Sequence, residues 1–97
     1  MELQLIWKTF YQKIAEDPRI GTTHISLYMA LLHISFSKGE NPVQFKRQEV
    51  MRNAKINARH TFNRCINDLS LYGYISYRPS KNGYCKSNAF MIIPAEQ

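Results

Sequence analysis

Residues 46–75 read KRQEVMRNAKINARHTFNRCINDLSLYGYI, and the spacing of apolar residues along this stretch decides the fold. Val50 and Met51 turn inward from a short helix that runs from Arg47 to Asn53 or Ala54. Lys55-Ile56 is a tight connection. Asn57 then stands as an N-cap, with Ala58, Arg59 and His60 as the first turn of a longer helix. There Ala58, Phe62, Cys65, Ile66 and Leu69 recur at i, i+4, i+7, i+8 and i+11, which is one face of a 3.6-residue period. This second helix ends near Tyr72. Gly73 follows, placed to take the left-handed conformation that stops a helix.

Beyond Gly73 the period changes from 3.6 to 2. Residues 74–78 and 88–93 are strand-like, and Asn82-Gly83 is a strong turn dipeptide between them, so 74–93 is expected to be a β-hairpin with a longish loop at 79–87. Pro94 closes the last strand. Working upstream, residues 1–17 form an amphipathic helix with Leu3, Ile6, Trp7, Phe10 and Ile14 on its apolar face. Glu2 suits its N-terminal end. It stops around Asp17, because the residue before Pro18 is biased away from helical angles. Trp7, Phe10 and Tyr11 pack on the body or against a second copy. Thr22 or Thr23 caps the next helix, 22–36. Ile25, Leu27, Tyr28, Met29, Leu31, Leu32, Ile34 and Phe36 make that helix apolar nearly all round, so it is the central core helix. Residues 37–42 read as a loop and Val43-Gln44-Phe45 as one short strand.

The expected fold is therefore α+β, mainly α. It is a winged helix-turn-helix, a three-helix core (22–36 and the pair within 46–72) plus a β-hairpin wing at 74–93, with an extra N-terminal helix. In such a motif the short helix holds the longer one clear of the body. The longer helix can then enter a major groove about 12 Å wide. One domain accounts for all 97 residues, since two would need roughly 100 residues each for separate cores.

Charge points the same way. The chain carries 13 Lys+Arg against 7 Asp+Glu, a net +6. Residues 1–45 hold four basic and four acidic side chains and net to zero. Residues 46–86 hold nine basic against two acidic and net to +7, and Glu96 brings the total back to +6. Generic solubility does not require that segregation, which points towards a polyanionic partner or an acidic surface. No apolar run approaches the ~18–20 residues of a membrane span, and no signal peptide is evident at Met1-Glu2-Leu3-Gln4. Cys65 and Cys85 lie twenty apart, too far for metal-ligand spacing, and reduced cytosolic thiols are expected. His24 and His33 face opposite sides of their helix and share no metal.

The outer face of the 57–72 helix follows from 100° per residue. With Phe62 at zero, Arg59, Asn63, Asn67, His60 and Arg64 fall between about 60° and 200°. Arg suits guanine O6/N7 and Asn suits adenine N6/N7, so these five are the base-contact candidates, Asn67 ranking last. Lys46, Arg47, Lys55, Arg78, Lys81, Asn82 and Lys86 are the phosphate-contact candidates, with Tyr84 as a helper. Phosphate contacts position a protein without specifying sequence. A plain solvated face is the alternative for each.

The runs Arg47-Gln48-Glu49-Val50-Met51, Thr61-Phe62-Asn63-Arg64-Cys65-Ile66-Asn67-Asp68-Leu69 and Tyr72-Gly73-Tyr74-Ile75 resemble winged-helix transcriptional regulators. The upstream stretch from Phe10 to Leu31 resembles small winged-helix proteins of Bacteroides-type bacteria. The layout is also similar to the N-terminal domain of DnaD-like replication proteins. The resemblance implies a recognition helix at 57–72 and a wing tip at 79–87. It also implies a cytoplasmic, nucleoid-associated protein that binds double-stranded DNA in transcriptional control. A replication or mobile-element role, or an adaptor with its basic face on an acidic protein, stays open, as does a homodimer through the N-terminal helix. No catalytic motif, cofactor, metal or small-molecule site is expected.

Overall fold

The computed structural model describes residues 3–79 and 86–92, without the Leu3 side chain. The order of elements is α1 (Leu3–Ile14), α2 (Thr22–Lys38), β1 (Val43–Phe45), α3 (Arg47–Ala54), α4 (Arg59–Leu71), β2 (Ile75–Arg78) and β3 (Ser87–Met91). The chain is thus α+β and mainly helical, with four helices and one three-stranded antiparallel sheet among the described residues. None of those helices is long and apolar enough to cross a membrane.

α2 is the axis of the body, as its all-round hydrophobicity implies. It touches α3, α4, β1 and β3. Leu27 and Leu31 of α2 are fully buried, and so are Val50 of α3 and Ile66 and Leu69 of α4. Phe62 and Cys65 join them, while Ala58 is half-buried. α1 fastens to this body through Ile6 and Phe10, the latter stacked flat on Tyr28 at 3.8 Å between centroids.

The sheet order is β1-β3-β2, with β3 antiparallel to both neighbours. Alternation decides which face is inside. Val43, Phe45, Ile75, Ser87, Ala89 and Met91 point into the core. β1 pairs Val43 with Ala89, a partner far along the chain. The Asn41 side chain extends that edge, donating to Met91 O and accepting from Met91 N at 2.9 and 2.8 Å.

Several boundaries differ from expectation, each for a local reason. α1 ends at Ile14, not at 17, because Glu16 N–H and Asp17 N–H reach back only three residues, to Lys13 O and Ile14 O. That tight turn delivers the chain to Pro18. Gly21, and neither Thr22 nor Thr23, is the N-cap of α2. The ring of His24, third in the helix, accepts the Gly21 N–H at 3.0 Å, the part an acidic or amide side chain takes in a capping box. α2 runs two residues past Phe36 to Lys38 and stops where Gly39 turns left-handed at φ +66°. Asn57 does not cap α4. The N-cap is Ala58, whose backbone is extended and whose side chain has nothing to donate or accept. Gly73 takes the expected positive φ, +87°. Lys55 also turns left-handed, at φ +61°, which closes α3 and lets the Ile56 N–H bond to Met51 O at 2.9 Å. β2 and β3 are shorter than the strands expected at 74–78 and 88–93.

Phe36, expected in the core, is 53% exposed, and Trp7, expected to pack on the body or against a second copy, is 52% exposed and not packed into the body. The Asn82-Gly83 turn, Glu2, Tyr84, Cys85, Ile93 and Pro94 fall outside the described residues.

Candidate functional site

α4 meets α2 along its Phe62–Ile66–Leu69 stripe, which orients the opposite side of the helix outward. Arg59, His60, Asn63, Arg64 and Asn67 are all exposed there. None of the five makes a side-chain hydrogen bond or ion pair among the described residues. Their donors and acceptors are open on one continuous strip of helix, so the helical-period argument and the fold agree on this face.

The other cations lie on the elements before and after α4. Lys46 is the extended N-cap of α3, and Arg47 opens the helix half-buried. Lys55 is exposed in the turn between α3 and α4. Arg78 ends β2 and Lys86 precedes β3, both exposed. The register sets Arg78 opposite Asn88. Lys81 and Asn82 fall outside the described residues. Arg52, exposed on α3, belongs with the cations although no motif drew attention to it. Its signal was only its share of the +7.

The acidic side chains explain why these cations are free. Residues 46–86 contain two, Glu49 and Asp68, and both are taken by groups from the electrically neutral half of the chain. Asp68 Oδ2 meets His24 Nε2 at 2.9 Å. Because His24 Nδ1 already accepts the Gly21 N–H, its proton sits on Nε2, and the ring donates to Asp68. Glu49 lies 3.8 Å from Lys38 Nζ. The cations Lys46, Arg47, Arg52, Lys55, Arg59, Arg64, Arg78 and Lys86 therefore have no ion-pair partner among the described residues.

A second polar cluster holds the far end of α4. Arg19 grips Asp17 with both edges, Nε to Oδ1 at 2.8 Å and a terminal nitrogen to Oδ2 at 2.9 Å. Tyr74 Oη donates to the same Oδ2 at 2.8 Å. The Arg19 guanidinium lies over the Tyr72 ring at 3.9 Å, and Lys13 Nζ lies over the Tyr74 ring at 4.6 Å. The Arg19 contact, with help from Tyr74, holds the Asp17 carboxyl well below the usual carboxylate range. Burial first, and then the hydrogen bond to Asp17, pushes the Tyr74 hydroxyl up to about 12. This clasp joins the end of α1 to the α4–β2 junction. Sequence reading missed it, since nothing in the spacing marks Asp17 and Tyr74 as neighbours.

Cys65 is a free thiol inside the core, and burial, helped by Asp68, pushes its pKa up. A neutral buried thiol is a poor nucleophile. Among the described residues no group of three or more His, Cys, Asp or Glu side chains is placed to hold a metal ion.

Comparison with protein families, curated proteins and solved structures finds no match for this chain.

Proposed function

We propose that this chain is a winged helix-turn-helix domain that binds double-stranded DNA sequence-specifically and acts in transcriptional control. α4 is its recognition helix in the major groove, α3 is the helix that props it, and the β2–β3 pair is the wing. One observation carries the reading. Among the described residues, the cations of the +7 segment have no ion-pair partner while both of its acids are turned towards the other half of the molecule. Such a segment is complementary to phosphate and includes a helix that offers Arg59, His60, Asn63, Arg64 and Asn67 to base edges. Lys46, Arg47, Lys55, Arg78 and Lys86 flank that helix as phosphate contacts, and Arg52 joins them. DNA access of this kind fits a nucleoid-associated protein of the cytoplasm.

The test is a binding titration against duplex DNA across salt concentrations. Six phosphate contacts predict a slope of log K against log salt of about −5. A flat salt response, or no binding at low salt, sinks the proposal.

A further inference from the structure

Trp7 and Phe36 come from different helices but line the same groove, of about 320 Å³, together with Gln4, Met29, Leu32 and His33. A second groove of about 630 Å³ runs along the other side of Trp7, past Tyr11 and Ala15. Gln4 and Trp7 line both, so the two form one continuous face. Tyr11 is 42% exposed and stands edge-on to Trp7, with ring centroids 5.8 Å apart. It also stands edge-on to the buried Phe10 at 5.6 Å. The aromatic cluster is thus braced from below, and little side-chain freedom is left to lose on contact.

The excess is visible in the helix itself. At 100° per residue, Ile6, Phe10, Ile14, Trp7 and Tyr11 span an apolar arc of about 140° on α1. The body covers the Ile6–Phe10 side of that arc and leaves the Trp7–Tyr11 side open. Contiguous apolar patches on monomers tend to be functional when they are large and rimmed by polar groups.

We propose that this α1–α2 face is the contact surface for a second copy of the chain. Charge selects the occupant. The face belongs to the half of the chain that nets to zero, and among the described residues Lys8 is the one formally charged side chain lining either groove. An acidic partner finds a single cation there, and a basic partner finds no carboxylate. The complement of an uncharged aromatic surface is another one like it, as a two-fold contact supplies. Two chains of +6 also meet here with their basic segments outside the contact. Trp7, Tyr11 and Phe36, each about half exposed, offer roughly 100 Å² apiece, a bit over a third of the ~800 Å² per partner of a standard interface, and the flanking Gln4, Lys8, Gln12 and His33 add to it. The inference does not rest on DNA binding, and its test uses no DNA.

Trp7 is the chain's single tryptophan, so it reports on its own burial. The experiment is sedimentation velocity and tryptophan emission on the whole chain, from low micromolar to several hundred micromolar. The expected result is a monomer–dimer equilibrium, with emission moving to the blue as the dimer forms. Phe36→Glu should weaken the dimer at least about thirtyfold, the size of a central aromatic contact. Because Phe36 is half-exposed, that variant should keep its thermal melt. Leu71→Ala removes a 79%-exposed side chain on α4, away from the face, and should leave the equilibrium unmoved. A chain that stays monomeric with fixed emission at every concentration overturns the proposal. So does a dimer that Phe36→Glu leaves intact.

Discussion

The C-terminal end of α4 and its outer face both carry polar side chains and treat them in opposite ways. At the C-terminal end, Tyr72 and Tyr74 are held by Arg19, Lys13 and Asp17, and every charged group there has a partner. On the outer face, Arg59, His60, Asn63, Arg64 and Asn67 have none among the described residues. The difference separates two jobs within one helix. The clasp sets where α4 lies relative to α1, and the stripe beneath it sets its rotation. The outer face is then presented rigidly but left unsatisfied. Mutations in the two regions should accordingly move different observables, stability in the clasp and binding on the outer face.

The largest effect should come from the buried stripe beneath α4. Phe62 is 1% exposed and sits under the N-terminal half of α4. Phe62→Ala should cost about 3–5 kcal/mol of stability, a large part of what a small domain has. Chemical denaturation should show the midpoint collapsing. A loss below about 1 kcal/mol would mean that the stripe does not anchor the helix.

Next in size is the outer face alone. Arg59→Ala or Asn63→Ala should remove about 1–3 kcal/mol of binding to a preferred DNA site and change the melting midpoint little. Affinity for unrelated duplex should fall much less. Equal loss on every sequence would turn these residues into phosphate contacts and erase the proposed division of labour on α4.

How much of this was legible in the chain follows from the range of each signal. The α4 stripe is periodic over thirteen residues, so its buried and open faces could be read directly. The Gly73 stop and the alternation in β2 and β3 are equally local. Phe36 was misplaced, and the position of Trp7 was left open, because periodicity says which side chains share an arc, not how much of that arc a neighbour covers. β1 was readable as a strand but its partner was not, since the pairing of Val43 with Ala89 spans half the chain. The caps failed for a related reason. A His ring replaced the expected Thr at α2, and an Ala with no polar side chain replaced the expected Asn at α4. The basic face was legible as a sum of charges. That its two acids would be turned aside, one by His24 and the other by Lys38, required the packing of α2 against α3 and α4.

The smallest effect should come from the clasp, and pH is the way to see it. Tyr74→Phe removes one hydrogen bond to Asp17 and should cost about 1 kcal/mol at neutral pH. DNA affinity should be unchanged. Asp17→Asn removes the charge itself. In the folded chain the Asp17 carboxyl is held below its ordinary range by Arg19 and Tyr74, and in the unfolded chain it titrates near about 3.9. The folded state therefore holds its advantage from this group at all pH above the unfolded value. It loses that advantage as pH falls towards the folded one. Urea titrations at neutral pH should find Asp17→Asn less stable than the parent. The gap should narrow on acidification below about pH 4, because the parent loses what the variant never had. A gap that is constant with pH would mean that Asp17 contributes through shape or neutral hydrogen bonding and not as a charge. Arg19 would then be only a side chain lying on Tyr72, and the clasp would differ from the outer face in packing alone.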